Sequence, residues 1–284
     1  MTAHRTRAQR PLRVLVTGGC GYLGSQVIRD LATQVSPTPH IRILDNLQTG
    51  SVRALMNLPE QGRYEFIEGD ILDPATLRLA LQEVDTVVHL AAIVRTPLSF
   101  ENPVWMEQVN HWGTAHLAEA CLAAGVQHLI FTSSTAVYGP GGPFTEEDVC
   151  RPQGAYAQSK LAAEQGLATT HRRGLRVTIL RIGTLFGLAP VTRFDAVANR
   201  FAYLAGVGRP VTVYGEGAQR RPLLHVRDAS AAIRHFIETP DEGESSLFNV
   251  VGATVSITNL IELLRRLRPD LSVRHTEQDI RTHL

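Results

Sequence analysis

The sequence predicts an α/β protein built on a doubly wound parallel sheet, with a smaller lobe in its C-terminal part. Two observations predict this class. Short apolar strands alternate with helical segments through about the first 180 residues, and after Leu180 that alternation gives way to loops and short irregular elements. An alternation of this length folds into a parallel sheet with right-handed crossovers.

The individual elements follow from local composition and spacing. Six segments are rich in Val, Ile and Leu without strict alternation, as in strands buried on both faces: Leu12–Thr17, Ile41–Asp45, Tyr64–Glu68, Thr86–Leu90, His128–Thr132 and Arg176–Leu180. Helical spacing of apolar residues occurs in Tyr22–Gln34, Pro74–Val84, Val104–Ala124 and Tyr156–Arg173. Gly125 follows the longest of these helices, which is typical of a helix end. Ligands of such sheets bind at the carboxyl ends of the strands.

The same pattern predicts the domain organisation. Residues 1–182 form the large domain, with 1–10 as a disordered leader, and residues 183–284 form the smaller lobe. Asp228–Thr239 and Leu247–Val251 have the patterns of a helix and a strand, so we expect residues 225–252 to return to the large domain.

Composition excludes several classes of function. The chain is 44% hydrophobic and 19% charged, with a net charge of +1, so no strong field favours nucleic acid or anionic membrane. It has no apolar run of the roughly 20 residues that span a membrane, and no signal-peptide core. Three scattered cysteines (Cys20, Cys121, Cys150) form neither a metal motif nor a disulfide framework, so we expect a cytoplasmic protein. The 11 histidines show no ligand spacing, so no metal is expected.

A glycine-rich turn joins the first predicted strand to the first helix. It reads Thr-Gly-Gly-Cys-Gly-Tyr-Leu-Gly over residues 17–24, with glycines at 18, 21 and 24. Glycines let the backbone approach a pyrophosphate, and the helix N-terminus directs free N–H groups at its charge, as in a Rossmann-type fold. Because the spacing is GxxGxxG, an ordinary strand-to-helix turn stays open as the alternative when this motif is taken alone.

Asp45 ends the second strand and predicts the choice of cofactor. A carboxylate at this position accepts the ribose hydroxyls of adenosine and repels a 2′-phosphate, which favours NAD over NADP. Arg42 and Arg53 are the opposing observation, since either side chain could approach such a phosphate. The alternative for Asp45 is a helix or turn cap. Gly69–Ile71 and His89–Ala92, after the third and fourth strands, would flank the two halves of the cofactor.

Tyr156 and Lys160 are spaced i and i+4, so a helix places both side chains on one face. A tyrosine has an ordinary pKa near ~10, and lowering it to ~7 needs about 4 kcal/mol. We expect the ammonium of Lys160 to supply ~1–3 pH units of that change. Ser134, at the end of the fifth strand, can hydrogen-bond a substrate oxygen. The alternative is that Tyr156 and Lys160 are only an amphipathic surface pair.

Together these motifs resemble the NAD-dependent epimerase/dehydratase family of extended short-chain dehydrogenases/reductases. The resemblance covers nearly the whole chain. Its matching residues are the glycine turn, Leu44–Asn46, His89–Ala92, Asn110 with Gly113 and Thr114, Ser133 and Ser134 before Ala136–Gly139, and the Tyr156/Lys160 pair. A later segment, Val211–Gly217 with Arg221 and His225–Asp228, resembles the part of this family that binds nucleotide sugars.

The resemblance implies a role for each matching residue. Ser134, Tyr156 and Lys160 would be catalytic. The residues expected to bind NAD are Gly18, Gly21, Tyr22, Leu23, Gly24, Asp45, Asn46, Asp70, Ile71, Leu90, Ala91, Ala92, Asn110, Ser133, Tyr156 and Lys160. The residues expected to bind the nucleotide sugar are Ser134, Thr135, Thr184, Val213 and Arg221. Arg221 would contact the diphosphate of that substrate.

The reaction favoured by the sequence is 4-epimerisation of a nucleotide sugar. Dehydratases of the family place an acidic residue just after the catalytic Ser or Thr, whereas this chain has Thr135 and Ala136. Thr184 replaces an Asn that often holds the sugar. A dehydrogenase or reductase of a keto-sugar or small alcohol would use the same residues and is the alternative; a non-catalytic dinucleotide sensor is disfavoured. The resemblance further implies a homodimer, with the Val104–Ala124 and Tyr156 helices as the candidate interface; the alternative is that their apolar faces belong to the core.

Overall fold

The fold is organised around seven parallel strands, whose carboxyl ends position the candidate site residues. The computed structural model describes residues 10–94, 102–171, 173–239 and 246–277; the predicted leader lies outside them except for Arg10. The strands are β1 Arg13–Thr17, β2 His40–Asp45, β3 Arg63–Glu68, β4 Thr86–His89, β5 His128–Ser134, β6 Arg176–Ile182, β7 Thr184–Phe186, β8 Val211–Tyr214, β9 Arg220–His225, β10 Ser246–Val250, β11 Ala253–Ser256 and β12 Val273–Thr276. The α-helices are α1 Tyr22–Gln34, α2 Pro74–Ala80, α3 Pro103–Glu107, α4 Gly113–Ala124, α5 Gly154–His171, α6 Val197–Gly206, α7 Val226–Glu238 and α8 Ile257–Leu267.

The main sheet has the strand order β10-β6-β5-β4-β1-β2-β3, and every pairing in it is parallel. The chain runs outward from β1 to β3 and then crosses to β4 on the other side of β1. The order therefore reverses between β1 and β4, which is where open α/β sheets open a crevice for a ligand. The predicted doubly wound, Rossmann-type fold is confirmed.

Both faces of the sheet are covered, as the continuous apolar strands predict. Leu15 of β1 packs in one buried cluster with residues of α2, α4 and α5, while its neighbours Val14 and Val16 pack in the opposite cluster with α1 and α7. All three side chains have no exposed surface. Because successive side chains of a strand point to opposite faces, an uninterrupted apolar run is needed to fill both layers.

The helix ends show which local signals acted. Helix α1 has the bounds that its apolar spacing predicts. Helix α2 begins where the Asp73 carboxylate accepts the N–H groups of Ala75 and Thr76, and Pro74 occupies its first turn. It ends at Ala80, earlier than predicted, and Glu83 adopts a left-handed φ of 56° just beyond it.

The predicted Val104–Ala124 helix is one continuous helical run with an irregular centre. Between α3 and α4, residues Gln108–Trp112 form a π-helical turn. The run ends at Gly125, whose φ of 71° closes the helix in the left-handed conformation. A π turn of this kind inserts a wider turn into the helix and frequently marks a functional site.

The C-terminal part contributes two small sheets and one strand of the main sheet. Strands β11, β9 and β7 form a three-stranded sheet, β12 pairs with β8, and β10 extends the main sheet beside β6. Phe201, Val211, Val213, Ile257 and Ile261 lie in a separate buried cluster. The division of the chain at residue 182 stays a prediction. Within the part of the chain that the structure describes, no helix is long and apolar enough to span a bilayer.

Candidate active site

The glycine turn lies at the carboxyl end of β1 and leaves no room for side chains. Gly18 has a φ of 70°, and a Cβ on it would lie 2.6 Å from the Ala91 nitrogen. A Cβ on Gly24 would lie 2.2 Å from the Gly18 carbonyl oxygen. Helix α1 starts at Tyr22 with no side-chain cap on its first turn. The turn therefore brings bare backbone and a helix N-terminus to the crevice, as a pyrophosphate site requires.

Asp45 lies beside this turn, and its carboxylate also organises the backbone. One oxygen accepts the Cys20 N–H and the other accepts the Leu47 N–H, both at 2.9 Å. Burial raises the pKa of Asp45, while these two hydrogen bonds oppose that rise. The Asp45 side chain therefore caps backbone N–H groups and also lies at the crevice.

Arg42 does not reach the crevice. Its Nε lies 2.8 Å from a Glu65 carboxylate oxygen, and its Nη1 donates to the carbonyl oxygens of Ala80 and Gln82. With these partners, Arg42 is held on the far side of β2 and is not placed to bind a 2′-phosphate.

A single cleft runs from this turn across the ends of β2, β3 and β4 to helix α5. Every residue predicted to bind NAD lines it except Asn110: Gly18, Gly21, Tyr22, Leu23, Gly24, Asp45, Asn46, Asp70, Ile71, Leu90, Ala91, Ala92, Ser133, Tyr156 and Lys160. The two ends of the cleft are far apart in sequence. We call the part around the glycine turn and Asp45 the glycine end, and the part around Tyr156 and Lys160 the reaction end.

Asn110 lies behind the cleft lining, and its role as a direct cofactor ligand stays a prediction. It is fully buried in the π turn. Its amide accepts the Ile93 N–H at 2.8 Å, donates to the Ile93 carbonyl at 3.1 Å and donates to the Ser159 hydroxyl at 3.1 Å. Asn110 therefore ties the segment after β4 to helix α5, and its polar atoms are used within the protein.

At the reaction end, Tyr156 and Lys160 lie on α5 and Ser134 lies at the end of β5. Ser134 lies near the Tyr156 phenol and acts to lower its pKa. Lys160 is 3% exposed, and its Nζ donates to the Thr132 carbonyl at 3.0 Å and lies 4.7 Å from the centre of the Phe131 ring. The sequence contains 28 lysines and arginines, and all of them except Lys160 are arginines.

The protonation of these groups differs from the expectation that Lys160 would lower the pKa of Tyr156. Burial raises the pKa of the Tyr156 phenol, while Ser134 and the charge of Arg193 oppose the rise. Burial also lowers the pKa of Lys160 to about 7, against the opposing effect of Glu164. Loss of water thus disfavours the charged form of both groups.

A loop from the C-terminal part closes the cleft, and sequence reasoning did not identify it. Asn199 of α6 accepts the Gly187 N–H at 2.9 Å and donates to the Arg193 carbonyl at 2.9 Å and to the Tyr22 hydroxyl at 3.1 Å. Tyr22 itself donates to the Gly187 carbonyl at 2.5 Å. The glycine turn is therefore fastened to the loop over residues 187–195. In the sequence, the one local signal of this connection is the amide residue Asn199 within the largely apolar helix α6.

This loop brings Val191, Thr192 and Arg193 into the cleft lining. Arg193 pairs with Asp195 at 2.8 Å, and its charge acts on the phenols of both Tyr22 and Tyr156. It is therefore a functional candidate that the sequence motifs did not single out.

The residues predicted to bind the sugar nucleotide lie outside this cleft lining. Ser134 and Thr135 stand next to Tyr156 at the end of β5, and Thr184 begins β7. Arg221 is exposed on β9. Val213 is 1% exposed and its side chain packs in the small C-terminal cluster, and its contact with the substrate stays a prediction.

His89, the last residue of β4, is buried and links strand β1 to helix α4. Its Nδ1 lies 2.7 Å from the Thr17 hydroxyl and its Nε2 lies 2.9 Å from the Thr114 hydroxyl. Thr114 donates its own proton to the Asn110 carbonyl, so His89 donates through Nε2 and accepts at Nδ1. Burial lowers the pKa of His89 to about 3, and it remains neutral near pH 7.

Comparison with known proteins identifies the family. Residues 14–251 match the model of the NAD dependent epimerase/dehydratase family. The chain belongs to this family. It is 32% identical over 273 residues to mouse dTDP-D-glucose 4,6-dehydratase, covering 93% of this chain and 76% of that protein.

Two solved structures share both fold and sequence with the chain. UDP-N-acetylglucosamine 4-epimerase from Methanobrevibacter ruminantium has a TM-score of 0.84 at 29% identity, covering 95% of this chain and 86% of the other. UDP-glucuronic acid 4-epimerase from Bacillus cereus, bound to UDP-glucuronic acid and NAD, has a TM-score of 0.84 at 25% identity, covering 94% and 87%. The protein is an NAD-dependent enzyme of this family, whose members include epimerases and dehydratases.

The residues present fit NAD as the cofactor. Gly18 and Gly24 leave the close approach that a pyrophosphate needs, and Asp45 places a carboxylate in the lining where the adenosine ribose would bind. At the other end, Tyr156 and Lys160 would lie beside the nicotinamide half. Among the residues that the structure describes, no group of His, Cys, Asp and Glu side chains could hold a metal ion.

Proposed function

We propose that this protein is a nucleotide-sugar 4-epimerase that acts through a 4-keto intermediate. The observation that carries this proposal is the uneven distribution of acids along the cleft. Among the described residues that line it, the carboxylates are Asp45 and Asp70, both at the glycine end. The reaction end presents Tyr156, Lys160 and the neighbouring Ser134, which can move one hydroxyl proton but offer no second acid.

The protein's own residues would handle the proton of the sugar 4-hydroxyl. NAD, when bound, supplies the acceptance and return of a hydride. Tyr156 takes the hydroxyl proton and later gives it back, while Ser134 hydrogen-bonds the same oxygen. The Ser134 interaction and the charge of Arg193 act to lower the pKa of Tyr156, and Lys160 in its protonated form would favour the phenolate in the same way. The 4-keto sugar would turn about its diphosphate bonds and present its opposite face, after which Tyr156 gives the proton back to oxygen 4.

The segment after Ser134 supports epimerisation over the dehydration named for the mouse relative. Elimination of water needs a group that protonates the leaving hydroxyl. Residues Thr135 and Ala136 follow Ser134 in the short 3₁₀ turn Thr135–Tyr138, and neither side chain is an acid.

The substrate class follows from the family and the arrangement of the C-terminal part. The two epimerases of known structure are named for UDP-sugars, and we propose a nucleoside diphosphate sugar here as well. Arg221 is the proposed diphosphate ligand, because a planar guanidinium can bind phosphate through two hydrogen bonds. Thr184, which pairs with Leu223 two residues along β9 from Arg221, is the proposed sugar contact.

A product assay tests this function. Purified protein is incubated with UDP-glucose, UDP-N-acetylglucosamine, UDP-glucuronic acid and dTDP-glucose, and the products are examined by NMR. We expect one of these sugars to equilibrate with its 4-epimer at unchanged mass. A product that has lost one water would instead identify a dehydratase, and net formation of NADH would identify a dehydrogenase.

We also propose that the protein is a homodimer. Val104 and Trp112, on the helical run from α3 to α4, are 65% and 51% exposed although both are large and apolar. A second copy packed on this run and α5 would cover them, as in a four-helix bundle. Light scattering should give twice the mass of 31.1 kDa, and a monomer would contradict the proposal.

A further inference from the structure

A buried ion pair lies one helical turn beyond Lys160. Glu164 and Arg181 side chains are 5% and 6% exposed, and an Arg181 Nη2–Glu164 Oε2 distance of 2.6 Å joins them. The Arg181 Nε also donates to both carboxylate oxygens, at 3.1 and 3.2 Å. The Ser133 hydroxyl donates to the same carboxylate. The proton chemistry proposed above gives neither Glu164 nor Arg181 a task.

The position of Glu164 relates this pair to the reaction end. Tyr156, Lys160 and Glu164 follow one another at intervals of four residues on α5, so their side chains lie along one face of the helix. Ser133, which fixes the Glu164 carboxylate, lines the cleft and directly precedes Ser134. The ion pair thus lies beneath the residues that contact the reacting atoms.

The groups that face Lys160 make Glu164 its only described counter-charge. From β5 come the Thr132 carbonyl and the Phe131 ring. From β4 comes His89, which is neutral because burial and the charge of Lys160 both lower its pKa. On α5 itself stand the neutral phenol of Tyr156 and the carboxylate of Glu164, with Arg181 of β6 behind it.

We propose that Glu164 is a positioning residue of the reaction site, which acts through Lys160 by holding its side chain in place as an ammonium. Arg181 and Ser133 fix the carboxylate for this task. An ammonium so far from water is costly, and a carboxylate one turn away offsets part of that cost. The same influence opposes the fall in the pKa of Lys160 that burial causes. The inference rests on the proposed catalytic use of Lys160 but on no particular sugar.

Because Lys160 is the sole lysine, its titration can be measured directly in the full-length protein. Protein labelled with ¹³C,¹⁵N-lysine gives one lysine side-chain signal, and its Cε shift is followed by NMR against pH. In Glu164→Gln we expect the Lys160 pKa to fall by roughly one pH unit, the lower part of the range for loss of a nearby opposite charge. In Glu164→Asp, which keeps the charge, the pKa should stay near that of the parent protein.

Two further variants separate this role from a purely structural one. Glu65→Gln breaks the Arg42–Glu65 pair on the other half of the same sheet, and it should leave the Lys160 pKa unchanged. The double variant Glu164→Gln/Arg181→Met removes both members of the buried pair, so it should recover thermal stability lost in the single variant. We expect its Lys160 pKa to remain low.

An unchanged Lys160 pKa in the folded double variant would overturn the proposal. So would a fall of equal size in Glu65→Gln, because that would report a general loss of stability. The titration needs no substrate, so its outcome does not depend on whether the protein proves to be a 4-epimerase.

Discussion

The glycine end of the cleft presents backbone groups, whereas the reaction end presents side chains. At the glycine end the binding groups belong to the backbone, and the closest approaches, such as 2.2 Å from a Cβ on Gly24 to the Gly18 carbonyl, leave no space for a side chain. At the reaction end the working groups are buried or half-buried side chains of α5 and β5, whose protonation depends on their neighbours.

This difference predicts which kind of substitution disrupts each end of the cleft. The glycine end depends on shape, so it should be sensitive to one added methyl group and indifferent to charge. The reaction end depends on charge and on single atoms, so it should lose activity through changes that preserve shape. Three expected outcomes test this contrast, from the largest effect to the smallest.

The largest effect is expected at the reaction end from Tyr156→Phe, which removes one oxygen atom. Without the phenol no group takes the hydroxyl proton, and turnover should fall by about 10²–10⁴-fold. NAD affinity and melting temperature should stay close to those of the parent protein. Steady-state kinetics and calorimetric titration with NAD measure both properties. Unchanged turnover would remove Tyr156 from the mechanism.

The next effect concerns the stability of the sheet beneath both ends. Burial holds the pKa values of His89 and His128 at about 3, whereas both would titrate near 6.5 in the unfolded chain. Between those values the unfolded state binds more protons, so stability falls as pH drops below 6.5. At pH 5 the loss should be roughly 2 kcal/mol for each histidine.

Denaturant unfolding at pH 7 and pH 5 measures this loss. His128, bonded to Thr178 at the start of β5, offers the control because it lies away from the cleft. In His128→Gln the difference between the two pH values should shrink by about half. A pH dependence identical to that of the parent protein would mean that His128 does not stay neutral in the folded state.

The smallest of the three effects is steric and belongs to the glycine end. In Gly24→Ala the new methyl group must push the turn apart, which costs about 1–3 kcal/mol and should weaken NAD binding by up to about 100-fold. The matched control is Gly166→Ala on α5, where a Cβ would meet nothing within 4 Å. That variant should bind NAD normally and gain about 0.5–1 kcal/mol of stability. Equal binding by both variants would contradict the steric account.

Local patterns predicted most of the fold and the glycine end, because their causes are local. The apolar spacing that begins at Tyr22 gave the full extent of α1, and the turn before it lies where strand and helix meet. The π turn at Gln108–Trp112 could not be predicted in this way. Its Asn110 forms hydrogen bonds with Ile93 and Ser159, and such bonds exist only once the chain has folded.

For the reaction end, the sequence predicted which residues take part but not their protonation. Its protonation depends on partners from other strands, such as Arg181 of β6 beside Glu164, which no spacing along α5 reveals. The loop over the cleft is likewise fastened by Asn199 and Tyr22, which are 177 residues apart in sequence. Depth of burial and long-range contacts, rather than motifs, account for what the sequence left unpredicted.

The most direct test of the proposed function follows the hydrogen at carbon 4 of the sugar. The substrate found in the product assay is prepared with deuterium at that carbon, and the label in the product is located by NMR. A 4-epimerase takes this hydrogen and returns it to the same carbon, so the account predicts that the epimer keeps its deuterium at carbon 4. Deuterium found at another carbon, or lost to released cofactor, would contradict it.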